Sequence, residues 1–95
     1  MHVVSPKRLR EAALAHPDLT EPLKGWLKLA KRERWTSLEH IRQTCPTADL
    51  VGKYTVFNIK GNSYRIISEV NYQTCRIYIR NVLTHGEYDR QRWKK

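Results

Sequence analysis

The stretch VFNIKGNSYRIISEVNYQTCRIYIRNVLTHGEYD, residues 56–89, decides how this chain folds. Apolar and polar side chains alternate through it with period two, and β-branched and aromatic residues dominate. Turn-forming residues interrupt it at Lys60-Gly61-Asn62-Ser63 and at Asn71-Tyr72-Gln73-Thr74. This pattern predicts a three-stranded antiparallel meander. A loop at Lys60-Gly61-Asn62-Ser63 sets Ile59 opposite Tyr64, Phe57 opposite Ile66 and Asn58 opposite Arg65. A two-residue turn at Tyr72-Gln73 then sets Ile66 against Ile79, Ile67 against Tyr78, Glu69 against Arg76 and Arg65 against Arg80, because each register fixes the sum of opposing positions. One face collects Phe57, Ile59, Tyr64, Ile66, Ile77 and Ile79 and needs a helical cover. The other collects Asn58, Arg65, Glu69, Arg76, Tyr78 and Arg80 and faces solvent or a ligand. Like charges directly opposite repel, so Arg65 beside Arg80 calls for an outside anion or a local acid; a three-residue turn would separate the pair.

Working outward, His2-Val3-Val4 reads as an edge strand. Ser5-Pro6 suits an N-cap and first helical position, and Leu9, Ala12, Ala13 and His16 follow at helical spacing until Pro17 stops the helix. Asp18 or Thr20 is the expected cap of a second helix, whose stripe Leu19, Leu23, Trp26, Leu27 and Ala30 leaves Lys24, Lys28 and Lys31 outside. Gly25 weakens that helix by up to about 1 kcal/mol relative to Ala. After Lys31-Arg32-Glu33-Arg34 and Trp35, the tetrapeptide Thr36-Ser37-Leu38-Glu39 has the form of a capping box for a short helix reaching about Thr44, closed by Pro46. Residues 47–53 read as a polar loop. Thr84-His85-Gly86-Glu87 is a second capping-box candidate, and a basic tail runs from about residue 89 to residue 95. The expected architecture is a single α+β domain over residues 1–95 in two layers: an N-terminal short strand and two to three helices packed on an antiparallel β-meander.

At 95 residues the chain has room for one core and none for a separate cofactor domain. It lacks a run of about 20 apolar residues that would span a membrane, and MHVVSPKRLR lacks a signal-peptide apolar region, so the expected location is the cytoplasm. Cys45 and Cys75 stand in no metal-ligand spacing and read as packing thiols. The formal charge is +9, with a net +3 in residues 1–50 and +6 in residues 51–95, so the excess sits on the sheet half. That asymmetry points to a polyanion partner. Asn58, Lys60, Arg76, Tyr78 and Arg80 on the sheet, with Arg90, Arg92 and Lys94 in the tail, are the expected RNA contacts.

There is no Walker loop, dinucleotide glycine fingerprint, HExxH or zinc-type Cys/His cluster. Gly61 fits a hairpin position with positive φ. Metal-free chemistry on RNA therefore has the residue support, with no cofactor. The 2′-hydroxyl attacks the adjacent phosphate, which requires a base, an acid and cations for the developing charge. Arginine offers the phosphate-matching fork and histidine titrates near neutrality. If the turn after Leu83 is helical, His85 and Tyr88 share a face and lean over the Arg65 surface. Glu69 and Asp89 are candidate proton acceptors, Glu69 also matching Arg76 as a cross-strand partner.

The segments Val56-Phe57-Asn58-Ile59-x-Gly61-Asn62-x-Tyr64-Arg65 and Tyr78-Ile79-Arg80-x-Val82-Leu83-Thr84-His85-x-Glu87-Tyr88-Asp89, with His2-Val3-Val4, Trp26, Trp35 and Val51-Gly52, resemble HigB-type toxins of the RelE-like superfamily. The resemblance implies a microbial RNase-like fold and metal-independent cleavage of mRNA in the ribosomal A site. It also implies a HigA-type helix-turn-helix antitoxin, with operator DNA engaged only through the toxin–antitoxin complex. Carried over by position, Arg65 binds the scissile phosphate, His85 is the acid/base or cationic residue, and Tyr88 orients the nucleotide. Some relatives use a lysine pair on the strand before the arginine, where only Lys60 lies near; others use a glutamate from the helical half, matched by none of Glu33, Glu39 and Asp49. No general base is assigned. Two rival functions remain: a non-catalytic RNA- or ribosome-binding domain using Tyr78 for stacking, and an interaction module whose basic face holds an acidic protein.

Overall fold

A computed structural model describes residues 1–90. In chain order these form β1 (His2–Val4), α1 (Lys7–Ala15), a 3-10 turn (Pro17–Leu19), α2 (Thr20–Arg32) and α3 (Leu38–Thr44). There follow β2 (Asp49–Val51), β3 (Tyr54–Ile59), β4 (Tyr64–Asn71), β5 (Arg76–Thr84) and α4 (His85–Asp89). The strands make one sheet in the order β1-β5-β4-β3-β2. The meander forms as the alternation predicts, and β1 joins its edge parallel to β5, so the sheet is mixed rather than purely antiparallel.

The first hairpin has the predicted register, with Asn58 opposite Arg65 and Ile59 opposite Tyr64. Its loop uses positive φ at both Lys60 (53°) and Gly61 (64°). The second hairpin differs from expectation. Asn71 pairs with Arg76, so the loop holds four residues, stabilised by Asn71 Oδ1 accepting from Thr74 N–H and by Cys75 at φ 55°. Further along, a register shift between Ile67 and Ser68 leaves Arg80 as an extra residue: Ser68 pairs with Ile79 and Ile67 with Asn81. Arg65 therefore faces Leu83 instead of Arg80, and Glu69 faces Tyr78 instead of Arg76.

Other expectations need correction. Residues 47–53 are not simply a loop, because Asp49–Val51 forms an edge strand returning into β3 through a two-residue turn with Gly52 at φ 60°. Arg42 ties α3 to this strand through Ala48 O (2.8 Å) and Asp49 (3.3 Å). Ser5 does not cap α1 with its side chain; it sits at φ 63° and its carbonyl accepts from Arg8 N–H. Neither Asp18 nor Thr20 caps α2, since the 3-10 turn runs directly into it. The α3 cap is Ser37, accepting from His40 N–H, which replaces the expected Thr36/Glu39 box.

The helix-facing side of the sheet has the predicted composition. Phe57, Ile59, Ile66, Ile77 and Ile79 are buried with Leu9, Leu19, Leu23, Trp26, Ala30, Trp35 and Ile41, and Tyr64 packs at the edge. Trp26 meets the Phe57 ring edge-on at 5.2 Å and Trp35 stacks on it at 5.8 Å. The opposite face is not uniformly open, because Val56, Ile67 and Leu83 form a second buried cluster flanked by Val51, Tyr54 and Tyr88. Cys45 and Cys75 are free thiols packed against the main core, and burial pushes the Cys45 thiol up.

Trp35 is fully buried and its indole N–H has no acceptor among the described residues. Trp35→Ala should cost about 3–5 kcal/mol, whereas Trp35→Phe forfeits no hydrogen bond and should cost clearly less. Urea unfolding of the two variants checks the ordering; equal losses would show that the indole N–H has a partner after all.

Candidate active site

The local sequence after β5 builds the rim. Thr84 Oγ1 accepts from Glu87 N–H at 3.2 Å and the Glu87 carboxylate accepts from Thr84 N–H at 2.9 Å, completing the predicted capping box. This box starts α4 at His85 and places Tyr88 one turn on. His85 N–H also donates to Ser63 O at 2.9 Å, fastening the helix start to the first hairpin loop.

Arg65 reaches this helix because it lies opposite Leu83, one residue before the box. Its guanidinium donates to Asn62 O at 2.9 Å and to Tyr64 O at 3.3 Å, lies 3.4 Å from His85 Nδ1, and sits 5.2 Å above the centre of the Tyr88 ring. His85 Nε2 is 3.0 Å from Asp89 Oδ2, one helical turn away. An arginine N–H can only donate, so the neutral tautomer that suits both contacts is the one in which Nδ1 accepts and Nε2–H points to Asp89. Both His85 and Asp89 keep more than half of their side-chain surface exposed, at 56% and 59%. The result is a solvent-facing row, Tyr88–Arg65–His85–Asp89, that joins a phosphate-shaped cation to a titratable imidazole.

The structure thus brings together the three sequence-derived catalytic candidates, Arg65, His85 and Tyr88. The proposed RNA contacts are distributed differently. Asn58 lies beside Arg65 and donates to Asn62 Oδ1 at 3.2 Å. Tyr78 and Arg80 form a second group farther along β5, with Arg80 5.3 Å over the Tyr78 ring and 3.3 Å from Glu69. Lys53, absent from the sequence-based set, joins that group at 3.7 Å from Glu69 and 5.4 Å over Tyr54. Glu69 is therefore the partner of Arg80 and Lys53, not of Arg76. Arg76 opens β5, roughly 23 Å of strand away from Leu83 at about 3.3 Å per residue, and does not share the rim. Lys60 turns toward the helices and pairs with Asp18. Arg90 is exposed at the end of α4; Arg92 and Lys94 lie outside the described residues.

Asp89, one of two candidate proton acceptors in the sequence, joins this row. Its i,i+4 spacing from His85 was the available signal, and it became specific only once Thr84 fixed the helix start.

Comparison with known proteins gives a consistent result. The HigB toxin family, described as the RelE-like toxic component of a toxin-antitoxin system, matches residues 19–91. An mRNA interferase toxin HigB of Escherichia coli K12 is 30% identical over 92 residues, covering 94% of this chain and 88% of the relative. An mRNA interferase HigB of Shigella flexneri shows the same figures. Another, from Escherichia coli O6:H1, is 26% identical over 93 residues, covering 95% and 90%.

The Lys60–Asp18 clamp at the other side of the loop yields a pH prediction. Lys60 Nζ is 2.7 Å from Asp18, and the Tyr64 hydroxyl donates to the same carboxylate at 3.2 Å. The Lys60 hydrogen bond holds Asp18 below the ordinary carboxylate value, and Asp18 in turn raises Lys60. A depressed acid stabilises above its unfolded value and loses that contribution as pH falls through its folded value; a raised base loses its contribution only at high pH. The urea midpoints of wild type and Asp18→Asn should therefore differ most near neutrality and converge only as the pH falls below the ordinary carboxylate range. A gap unchanged at acid pH would show that the clamp does not act through charge.

Proposed function

The chain belongs to the HigB family of RelE-like toxins, and from that premise we propose that it cleaves mRNA at the Arg65–His85–Tyr88 rim and so inhibits translation. The carrying observation is the 3.4 Å approach of the Arg65 guanidinium to His85 Nδ1 on an exposed edge. It sets a phosphate-binding fork against a group able to move a proton.

In the reaction the 2′-oxygen forms a bond to phosphorus and the bond to the 5′-oxygen breaks, leaving a 2′,3′-cyclic phosphate and a 5′-hydroxyl. Arg65 turns its donors to the phosphoryl oxygens and stabilises the charge of the phosphorane. That movement frees the Nδ1 lone pair beside the phosphate, where His85 takes the 2′-hydroxyl proton; Asp89, holding Nε2–H, orients the ring and stabilises the imidazolium. Tyr88 supports Arg65 from below and offers its ring edge to the nucleotide. A water or a ribosomal group protonates the leaving oxygen. No step of this proposed reaction passes through a metal. Asn58, Lys53, Tyr78, Arg80 and Arg90 track the message backbone and bases, with the ribosomal A site presenting the strand in the cytoplasm. A HigA-type helix-turn-helix antitoxin holds the toxin in check and carries the pair to operator DNA. The Tyr78/Arg80 and Tyr54/Lys53 stacks favour, as a second reading, RNA binding without cleavage.

Mapping of mRNA 5′ ends after induced expression separates the two readings, since only cleavage creates new ends. Arg65→Ala should lower the cleavage rate about 10² to 10³-fold, and His85→Gln about 10² to 10⁴-fold, both with the fold retained. Asp89→Asn should reduce kcat with little change in KM. A folded, fully active Arg65→Ala variant would place the active site elsewhere. Binding of single-stranded RNA should also weaken steeply with salt, log K falling by about 0.7 per log unit of salt for each phosphate contacted. A flat response in a filter-binding titration counts against the sheet face as the RNA surface.

A further inference from the structure

The hairpin loop between β3 and β4 is held from two sides. Toward the rim it offers carbonyls: Asn62 O and Tyr64 O accept from Arg65, and Ser63 O accepts from the backbone N–H of His85 at 2.9 Å. Toward the helical layer it offers side chains. Lys60 Nζ donates to Asp18 Oδ2 at 2.7 Å, and the Tyr64 hydroxyl lies 3.3 and 3.2 Å from the two oxygens of the same carboxylate. The Tyr64 ring also packs on His16, with centroids 5.2 Å apart. Asp18 lies in the 3-10 turn that joins α1 to α2, and the next residue, Leu19, is fully buried in the main core. The carboxylate therefore stands on a fixed post. The loop itself is less secure: Lys60 adopts φ 53°, a left-handed backbone that a non-glycine residue keeps only where its surroundings enforce it. The hydrogen bond that closes it, Ser63 N–H to Lys60 O, is long at 3.2 Å.

We propose that Asp18 is a positioning residue for RNA cleavage: through Lys60 and Tyr64 it pins the β3–β4 loop to the helical layer, so that Asn62 O and Ser63 O hold Arg65 and His85 at the spacing the reaction uses. The proposal rests on the functional reading above and extends the working parts to a residue that bonds to neither Arg65 nor His85. Lys60 and Asp18 keep 46% and 43% of their side-chain surface exposed, so their pairing adds little to global stability. What it fixes is where the loop sits. A loop released from Asp18 carries its carbonyls with it, leaving the guanidinium and the imidazole intact but wrongly spaced. Misplacement of about 1 Å can cost up to about 10²-fold in rate. Arg65 and the cations of the sheet face are all still present, so the loss falls on the chemical step and not on RNA binding.

Two variants of the full chain test this with ribosome-bound mRNA as substrate. Asp18→Asn keeps the side chain's size and removes its charge; Lys60→Asn tolerates the left-handed backbone but lacks the ammonium group. Each should lower kcat about 10-fold with KM unchanged, whereas Lys60→Arg, which keeps a cationic donor, should retain most of the wild-type rate. Hydrogen exchange supplies a readout that a general loss of structure would not give. The His85 amide, which donates to Ser63 O, should exchange at least about 10-fold faster in Asp18→Asn, while the core amides of Ile66 and Ile77 exchange as in wild type. If thermal melting shows Asp18→Asn to be misfolded, Tyr64→Phe, which removes only the hydroxyl contact, replaces it and should shift both readouts in the same direction. A wild-type cleavage rate in the folded variants overturns the proposal. So does a rate loss without faster His85 exchange, or exchange that speeds up throughout the core. Failure of wild-type toxin to cut RNA would instead sink the functional reading, while His85 exchange still judges whether Asp18 holds the loop.

Discussion

The Arg65–His85 rim depends on one irregularity in the β4–β5 ladder. Because Arg80 is left unpaired between Asn81 and Ile79, every residue of β4 before Ser68 meets a β5 residue one place farther along. That single step sets Arg65 against Leu83, and the Thr84 box immediately beyond then turns His85, Tyr88 and Asp89 back over it. Without the extra residue the same arginine would meet the strand one residue short, on the opposite side-chain parity. Bulges re-aim side chains in this way and accentuate local twist.

The second consequence of the register is a small apolar floor under the rim. Val56, Ile67 and Leu83 are buried on the face that carries the charges, with Tyr88 packed on them. Tyr88 thus has two tasks, covering this cluster and lying under the Arg65 guanidinium. Coupling the two fixes a five-residue helix too short to be stable alone. Meanwhile the Trp26–Phe57–Trp35 stack and the isoleucines of β4 and β5 hold the opposite side rigid, so the rim rests on a packed platform.

In the free protein the groups of the rim satisfy one another. Arg65 spends its donors on Asn62 O, Tyr64 O and His85, and His85 uses its other nitrogen on Asp89. In the proposed reaction a phosphate would replace these uncharged acceptors of the guanidinium with anionic oxygens that its planar fork can engage in pairs. The acids Glu69 and Asp18 neutralise Arg80, Lys53 and Lys60 locally, so Arg65 is left as the cation beside the histidine.

The sequence by itself determined the meander, its two faces, the first hairpin register and the α4 capping box, because each follows from short-range rules: alternation, turn chemistry and side chain–backbone capping. It also carried an unread sign of the bulge, since the inward residues of β5 change from odd at Ile77 and Ile79 to even at Val82. With Val82 and Leu83 both apolar, that parity change could not be told from a strand end by pattern alone. Only the tertiary structure decided the second register, the edge strand at Asp49–Val51, the pairing of Asp18 with Lys60 and the meeting of Arg65 with His85 and Asp89. These unite residues as many as 42 positions apart, where the choice of partner is set by how helices, loops and sheet pack together and by no property of either residue's neighbours in the chain.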